Sequence, residues 1–145
     1  MNRVLLAVVL LLTTAEGFNA VGQTGEKETV RIFEGSLIEA TEKASSEKKA
    51  LFFIIWENES DSLVQHFVTN ILTDPGVIES FENTVITVVD SSGSETGVQL
   101  KELFEISNYP LIQLMNVHGE DLYQFESFIA PDQMPDILRR NVLND

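Results

Sequence analysis

The sequence predicts an α/β fold, one domain organised around a βαβ unit at Ala50–Asp90, and three observations carry that reading. The first is the run Ala50-Leu-Phe-Phe-Ile-Ile-Trp56, seven consecutive apolar residues. It is too short to argue strongly for a helix and rich in β-formers, as a strand buried on both faces in the middle of a parallel sheet requires. The second lies past the polar loop Glu57–Asp61, where Leu63, Val64, Phe67, Val68, Ile71 and Leu72 recur at helical spacing. The third is Thr84–Val89, again strand-like. The order is strand, polar loop, helix, strand, and the loop after the first strand is the functional end.

The bulk composition narrows the function classes. A chain of 145 residues with 43% apolar content makes one domain with a real core. A net charge of −14 argues against nucleic acid and anionic membrane surfaces, both of which demand basic patches. It reads as a solvated acidic surface. The chain has no cysteine, which removes disulfides, thiolate catalysis and cysteine-ligated metals.

The N-terminus reads as a secretory signal. Met1-Asn-Arg3 supplies positive charge, Val4–Leu12 an apolar stretch, and Ala15-Glu16-Gly17 a small-x-small cleavage site, with Ala20 as a second cut. Retention as an anchor is the alternative, but nine apolar residues fall well short of the roughly twenty a membrane-spanning helix needs. The expected divisions are 1–17 signal peptide, 18–28 flexible leader and 29–145 folded domain. The expected location is outside the cell or in the secretory-pathway lumen, with no stable membrane span after cleavage.

Along the domain, Thr29-Val-Arg-Ile-Phe33 alternates as an edge strand would. Ser36-Leu-Ile-Glu39 has capping-box spacing. The helix it opens runs to about Lys48, with Leu37, Ile38, Ala40 and Ala44 expected to face inward. Ser60 or Asp61 is the expected N-cap of the helix carrying Phe67 and Ile71. Thr73-Asp-Pro-Gly76 ends that helix, and Pro75 suits the first turn of a short successor, Gly76–Phe81. Ser91–Gly97 reads as a flexible loop and Val98–Phe104 as a helix. Leu111–Met115 is a fourth strand, Asn116–Glu120 a turn, and Asp121–Glu126 the return strand of a hairpin. Ala130-Pro131 opens the last helix, with Met134, Ile137, Leu138, Val142 and Leu143 apolar. Arg139 and Arg140 lie in its final turns, where positive charge suits the helix dipole.

The order β-α-β-α-β-α-β-β-α, with Tyr109-Pro110 before the last strand pair, resembles the thioredoxin fold over about Val30–Val142. Phe33-Glu-Gly-Ser36, Lys48-Lys49, Trp56, Phe67, Ile71-Leu72-Thr-Asp-Pro75 with Val77, Asp90 and Gly119 add to the likeness. Within that fold the chain looks closest to UAS-type and related redox-inactive domains. The resemblance implies a three-layer sandwich with a mixed central sheet of about five strands flanked by helices. It also implies a cis Tyr109-Pro110 bond turned toward the loop after the first strand. Thioredoxins carry Cys-x-x-Cys there, because a helix N-terminus makes the first thiol a nucleophile. Counting back from Asp74-Pro75 by the family spacing puts the pair at Asp61 and Val64, an acid and an apolar residue. Some UAS-type domains of ubiquitin-pathway adaptors bind long-chain fatty acids. With a secretory signal and no appended ubiquitin-related segment, the adaptor role is not expected here.

The remaining candidate residues favour structure over chemistry. Glu57, Glu59 and Asp61 could form a cation or acid/base site, but a cap with favourable dipole charges accounts for them, and no EF-hand-like ligand pattern is present. His66 and His118 stand without a recognisable nucleophile. Trp56 at a strand end reads as packing. Asn58-Glu59-Ser60 is an N-glycosylation sequon. The expected function is a redox-inactive binding module. It takes a peptide or protein segment in a groove formed by Trp56, Glu57, Asp61, Tyr109 and Pro110, and needs no cofactor or metal. A fatty acid or other apolar ligand is the first alternative, a carboxylate-dependent enzyme the second.

Overall fold

The structure, a computed structural model, describes residues 28–106 and 108–143. The signal peptide 1–17 and nearly all of the leader read from the sequence lie outside the described residues.

The seven-residue run forms strand β1, Ala50–Trp56, and every one of its residues is buried. Side chains alternate across a strand. Ala50, Phe52, Ile54 and Trp56 therefore enter one core, and Leu51, Phe53 and Ile55 the other. The first core is closed by three helical segments. These are α2 (Ser62–His66, continuing as a π-helical turn Phe67–Ile71), α3 (Pro75–Glu82) and α5 (Met134–Leu138). The second is closed by α1 (Leu37–Glu47) and α4 (Glu95–Phe104). Helices cover both faces of one sheet, giving three layers.

That sheet is mixed. β1 pairs in parallel with β2 (Val85–Ser91), from Ala50↔Val85 to Trp56↔Ser91. On its other side it pairs antiparallel with β3 (Leu111–Met115), from Leu51↔Met115 to Ile55↔Leu111, and β4 (Asp121–Gln124) completes the order β2-β1-β3-β4. The mixed sheet that the resemblance implies is thus present, and β1, read from its own residues as the middle of a parallel sheet, has one parallel and one antiparallel neighbour. A run buried on both faces reports coverage by helices, not strand direction.

Several local expectations are met by specific bonds. Ser36 Oγ accepts the Glu39 N–H at 3.1 Å while Glu39 Oε1 accepts the Ser36 N–H at 2.8 Å, a complete capping box. Asp74 caps α3 with Pro75 in its first turn. The Tyr109–Pro110 bond is cis.

Others are corrected. The edge strand Thr29–Phe33 contracts to a single bridge, Ile32 with Thr87, so among the described residues the sheet has four strands and not about five. The Val30 N–H goes instead to Leu72 O at 2.8 Å, which diverts the chain off the sheet. Ile38 is 60% exposed, not inward: Leu37, Ala40 and Ala44 define the buried face, and the next residue after Leu37 lies about 100° round the helix. The loop after β2 is only Ser92–Ser94, because Ser94 Oγ accepts the Gly97 N–H at 2.9 Å and starts α4 at Glu95. β4 stops at Gln124, short of the expected Glu126. The last helix opens as a 3₁₀ turn, Pro131–Gln133, and ends in a π-helical turn, Arg139–Leu143. There Arg139 and Arg140 both pair with Asp136.

Candidate functional site

The end of β1 and the start of β3 are neighbours in the sheet. Ile55 is paired with Leu111, and one further step in that antiparallel register aligns Trp56 with Pro110. Beyond Trp56 the backbone turns through Glu57–Ser60 into α2. The loop is held by its own bonds: Asp61 N–H to Asn58 O at 3.0 Å, Ser60 N–H to Asn58 Oδ1 at 2.9 Å, and Gln65 Nε2 to Glu59 O at 2.7 Å. Glu57 and Asn58 are exposed, Glu59 and Asp61 half-buried.

Trp56 belongs to the core under this loop. Its side chain is 2% exposed and packs in the cluster that includes Val64 and Phe67, while its carbonyl accepts the Ser92 N–H at 2.7 Å. Tyr109 and Pro110 are half-buried, and Tyr109 leans on the core of the opposite face beside Phe104 and Val117. The exposed side chains at this end are therefore those of Glu57, Asn58, Ser60 and Asn108.

Asp61 occupies the helix N-terminus where a redox thiol would stand in the resemblance. Its Oδ1 accepts the N–H groups of Leu63 at 2.9 Å and Val64 at 3.3 Å. Those are the orphan donors that would otherwise stabilise a thiolate. Val64, the second position, is 1% exposed and inside the core. Neither residue offers a thiol. Among the described residues no group of three or more His, Asp or Glu side chains is placed to hold a metal ion.

The histidines do not form a site either. His66 Nε2 lies 2.7 Å from Ile129 O, so that nitrogen carries the proton and donates. Nδ1 then accepts from Asn70 Nδ2 at 3.0 Å. The ring also stacks on Phe128, with centroids 4.8 Å apart. His66 is thus a tie between α2 and the segment before α5, which sequence spacing could not reveal across 63 positions. His118 is exposed in the β3–β4 turn, its N–H donating to Asn116 Oδ1.

Concave surface is also present away from these residues. A groove of about 880 Å³ runs beside the π-helical turn between Asn70, Asp74, Ile78 and Pro131. A second, of about 720 Å³, lies between Tyr123, Ile129, Ile137 and Leu143. Both are open to solvent, and neither is lined by Trp56, Glu57, Asp61, Tyr109 or Pro110. The sequence held no signal for them, since each joins segments distant along the chain.

No protein-family model matches the chain, and no curated protein does. Solved structures do. A candidate disulphide-isomerase from Bacteroides thetaiotaomicron superposes with a TM-score of 0.63 at 18% identity, covering 81% of this chain and 96% of its own. The fold is thioredoxin-like. A thioredoxin from Thermus thermophilus matches at TM-score 0.60 and 17% identity, over 78% of this chain and 87% of the other. The oxidoreductase DsbH matches at 0.59 and 13%, over 85% and 98%. At these identities the likeness is one of fold. This thioredoxin-like chain has no cysteine with which to exchange disulfides. Among its described residues no helix is long and apolar enough to cross a membrane.

Proposed function

We propose that the protein is a secreted or secretory-lumen binding module of the redox-inactive, UAS-like kind, which holds an extended peptide or protein segment at the β1–β3 end of its sheet. One observation carries this reading: a fold shared with redox proteins is kept nearly whole, while the helix N-terminus that would carry their nucleophile is capped by Asp61. A scaffold retained without its chemistry is what a binding role needs, because binding draws on backbone and shape whereas exchange needs a thiol. The Met1–Gly17 pattern supports the extracytoplasmic location. Neither of the two grooves described above is the enclosed apolar cavity that suits a fatty acid. The use of Asp61 as a cap speaks against a carboxylate enzyme.

Panning the purified protein against a random peptide library tests the reading. Enriched peptides should lose binding to Glu57→Arg and Pro110→Ala variants whose melting temperatures stay near that of the parent. Failure to enrich any peptide, or peptides that bind both variants undiminished, would overturn it.

A further inference from the structure

The sequon Asn58-Glu59-Ser60 is the one motif that the binding reading leaves unused, and the structure gives it a specific setting. Asn58 is exposed, on the loop between β1 and α2. Its Oδ1 accepts the Ser60 N–H at 2.9 Å, an Asx turn that needs only the carbonyl side of the amide. Its Nδ2 makes no hydrogen bond among the described residues. Its backbone carbonyl accepts the Asp61 N–H at 3.0 Å, so the turn is held by main chain and by the Asp61 cap. A substituent on Nδ2 would cost the fold no contact and displace no core atom.

We propose that Asn58 is an acceptor for an N-linked glycan whenever the chain passes through a lumen that holds an oligosaccharyl transferase. The donor class is a lipid-pyrophosphate-linked oligosaccharide. The Asn58 Nδ2 forms a bond to the anomeric carbon, and the bond from that carbon to the pyrophosphate oxygen breaks. The bonding electrons leave with the lipid pyrophosphate, and one Nδ2 proton passes to the enzyme's base. The Ser60 hydroxyl completes the sequon, and a side chain of that type is required at this spacing. Transfer onto an emerging chain needs no folded structure. The folded structure decides whether the product is compatible with the native state, and an exposed Asx turn is.

The glycan then stands on the same loop as Glu57 and Asp61, and partners reaching the β1–β3 end must pass it. The proposal does not depend on the peptide-binding reading, and the test below gives the same answer whether that reading holds or fails.

The full chain is expressed behind a eukaryotic secretion signal, and the lumenal and secreted pools are both digested with peptide N-glycosidase. The expected result is a mobility shift that the enzyme collapses, with mass spectrometry locating the sugar on the peptide containing Asn58. Asn58→Gln and Ser60→Ala should each abolish the shift, and Ser60→Thr should keep it. A lumenal chain without glycan overturns the proposal, as does a glycan that persists in Asn58→Gln and Ser60→Ala.

Discussion

Asp61 Oδ1 accepts the backbone N–H of Val64 at 3.3 Å, so the two positions that match a redox pair in the resemblance are bound to each other as helix cap and core residue. The same carboxylate oxygen also holds the Leu63 N–H. Asp61→Ala should therefore lower stability by about 1 kcal/mol, the usual loss for an N-cap, while Asp61→Asn should recover most of it. Urea denaturation of the three proteins decides this. Equal loss in both variants would mean that the negative charge, not the cap bond, supplies the stability.

His66 is expected to matter for stability and not for any turnover. In His66→Leu the Ile129 carbonyl loses its donor and Asn70 loses its acceptor. An orphaned, partly buried polar group costs about 1–3 kcal/mol. Hydrogen exchange should quicken around Phe128–Gln133 in that variant. Unchanged exchange there, with unchanged melting, would show that the tie carries no weight.

The first core has an aromatic centre. Phe52 is fully buried and meets Phe81 at 5.3 Å and Phe125 at 5.7 Å, both edge-on. Such geometry adds to simple burial. Phe52→Ala should cost about 3–5 kcal/mol, and Phe52→Leu much less, because the cavity left behind is smaller. Differential scanning calorimetry gives the comparison.

Glu47 supplies the acid dependence that can be assigned. Its side-chain bonds to Lys43 at 2.6 Å and Lys49 at 2.9 Å hold its carboxyl below the usual carboxylate range. A carboxylate with a lowered folded pKa stabilises the fold above its unfolded pKa, about 4.3 for Glu, and loses that contribution as pH falls through the folded value. Because the cluster is solvent-exposed, the effect is small and screened by salt. At low salt, Glu47→Gln should flatten the acid limb of the stability profile. Superimposable limbs for variant and parent would exclude it.

The framework was legible because it rests on local signals. Seven apolar residues named β1, Ser36 and Glu39 named the start of α1, and Asp74-Pro75 named the start of α3. A cap at Ser60 or Asp61 was legible from residue type, and the structure places it at Asp61. What escaped depends on contacts between distant segments. The bond of Val30 to Leu72 O took Thr29–Phe33 off the sheet, although its alternation was that of a strand. The π-helical turn at Phe67–Ile71, where the Leu72 N–H reaches back to Phe67 O at 2.9 Å, has the same apolar spacing as an ordinary helix. At the candidate site the packing reading of Trp56 holds, and the structure adds which core it enters, the one that contains Val64 and Phe67.

Gly97 separates the sequence reading from the structure by sign. Read as part of a flexible loop, it should accept alanine with a gain of about 0.4–1 kcal/mol, since alanine restricts the unfolded chain. Read as a residue inside α4, it should again gain, because alanine is the better helix former by about 1 kcal/mol. The structure reverses both. A Cβ at Gly97 would lie 2.3 Å from Ser91 O and 2.7 Å from Ser92 Cα, and both are backbone atoms that no rotamer change can move. To admit the methyl group, the turn Ser91–Ser94 must shift, and with it the Ser94 cap and the bond from the Ser92 N–H to Trp56 O. Gly97→Ala should therefore destabilise by about 1–3 kcal/mol, the usual cost of overpacking. Gly93 is the control in the same turn: a Cβ there meets nothing within 4 Å, so Gly93→Ala should be neutral or slightly stabilising. Chemical denaturation of the two variants beside the parent gives both values. A stable Gly97→Ala protein would mean that α4 does not approach the end of β2 this closely.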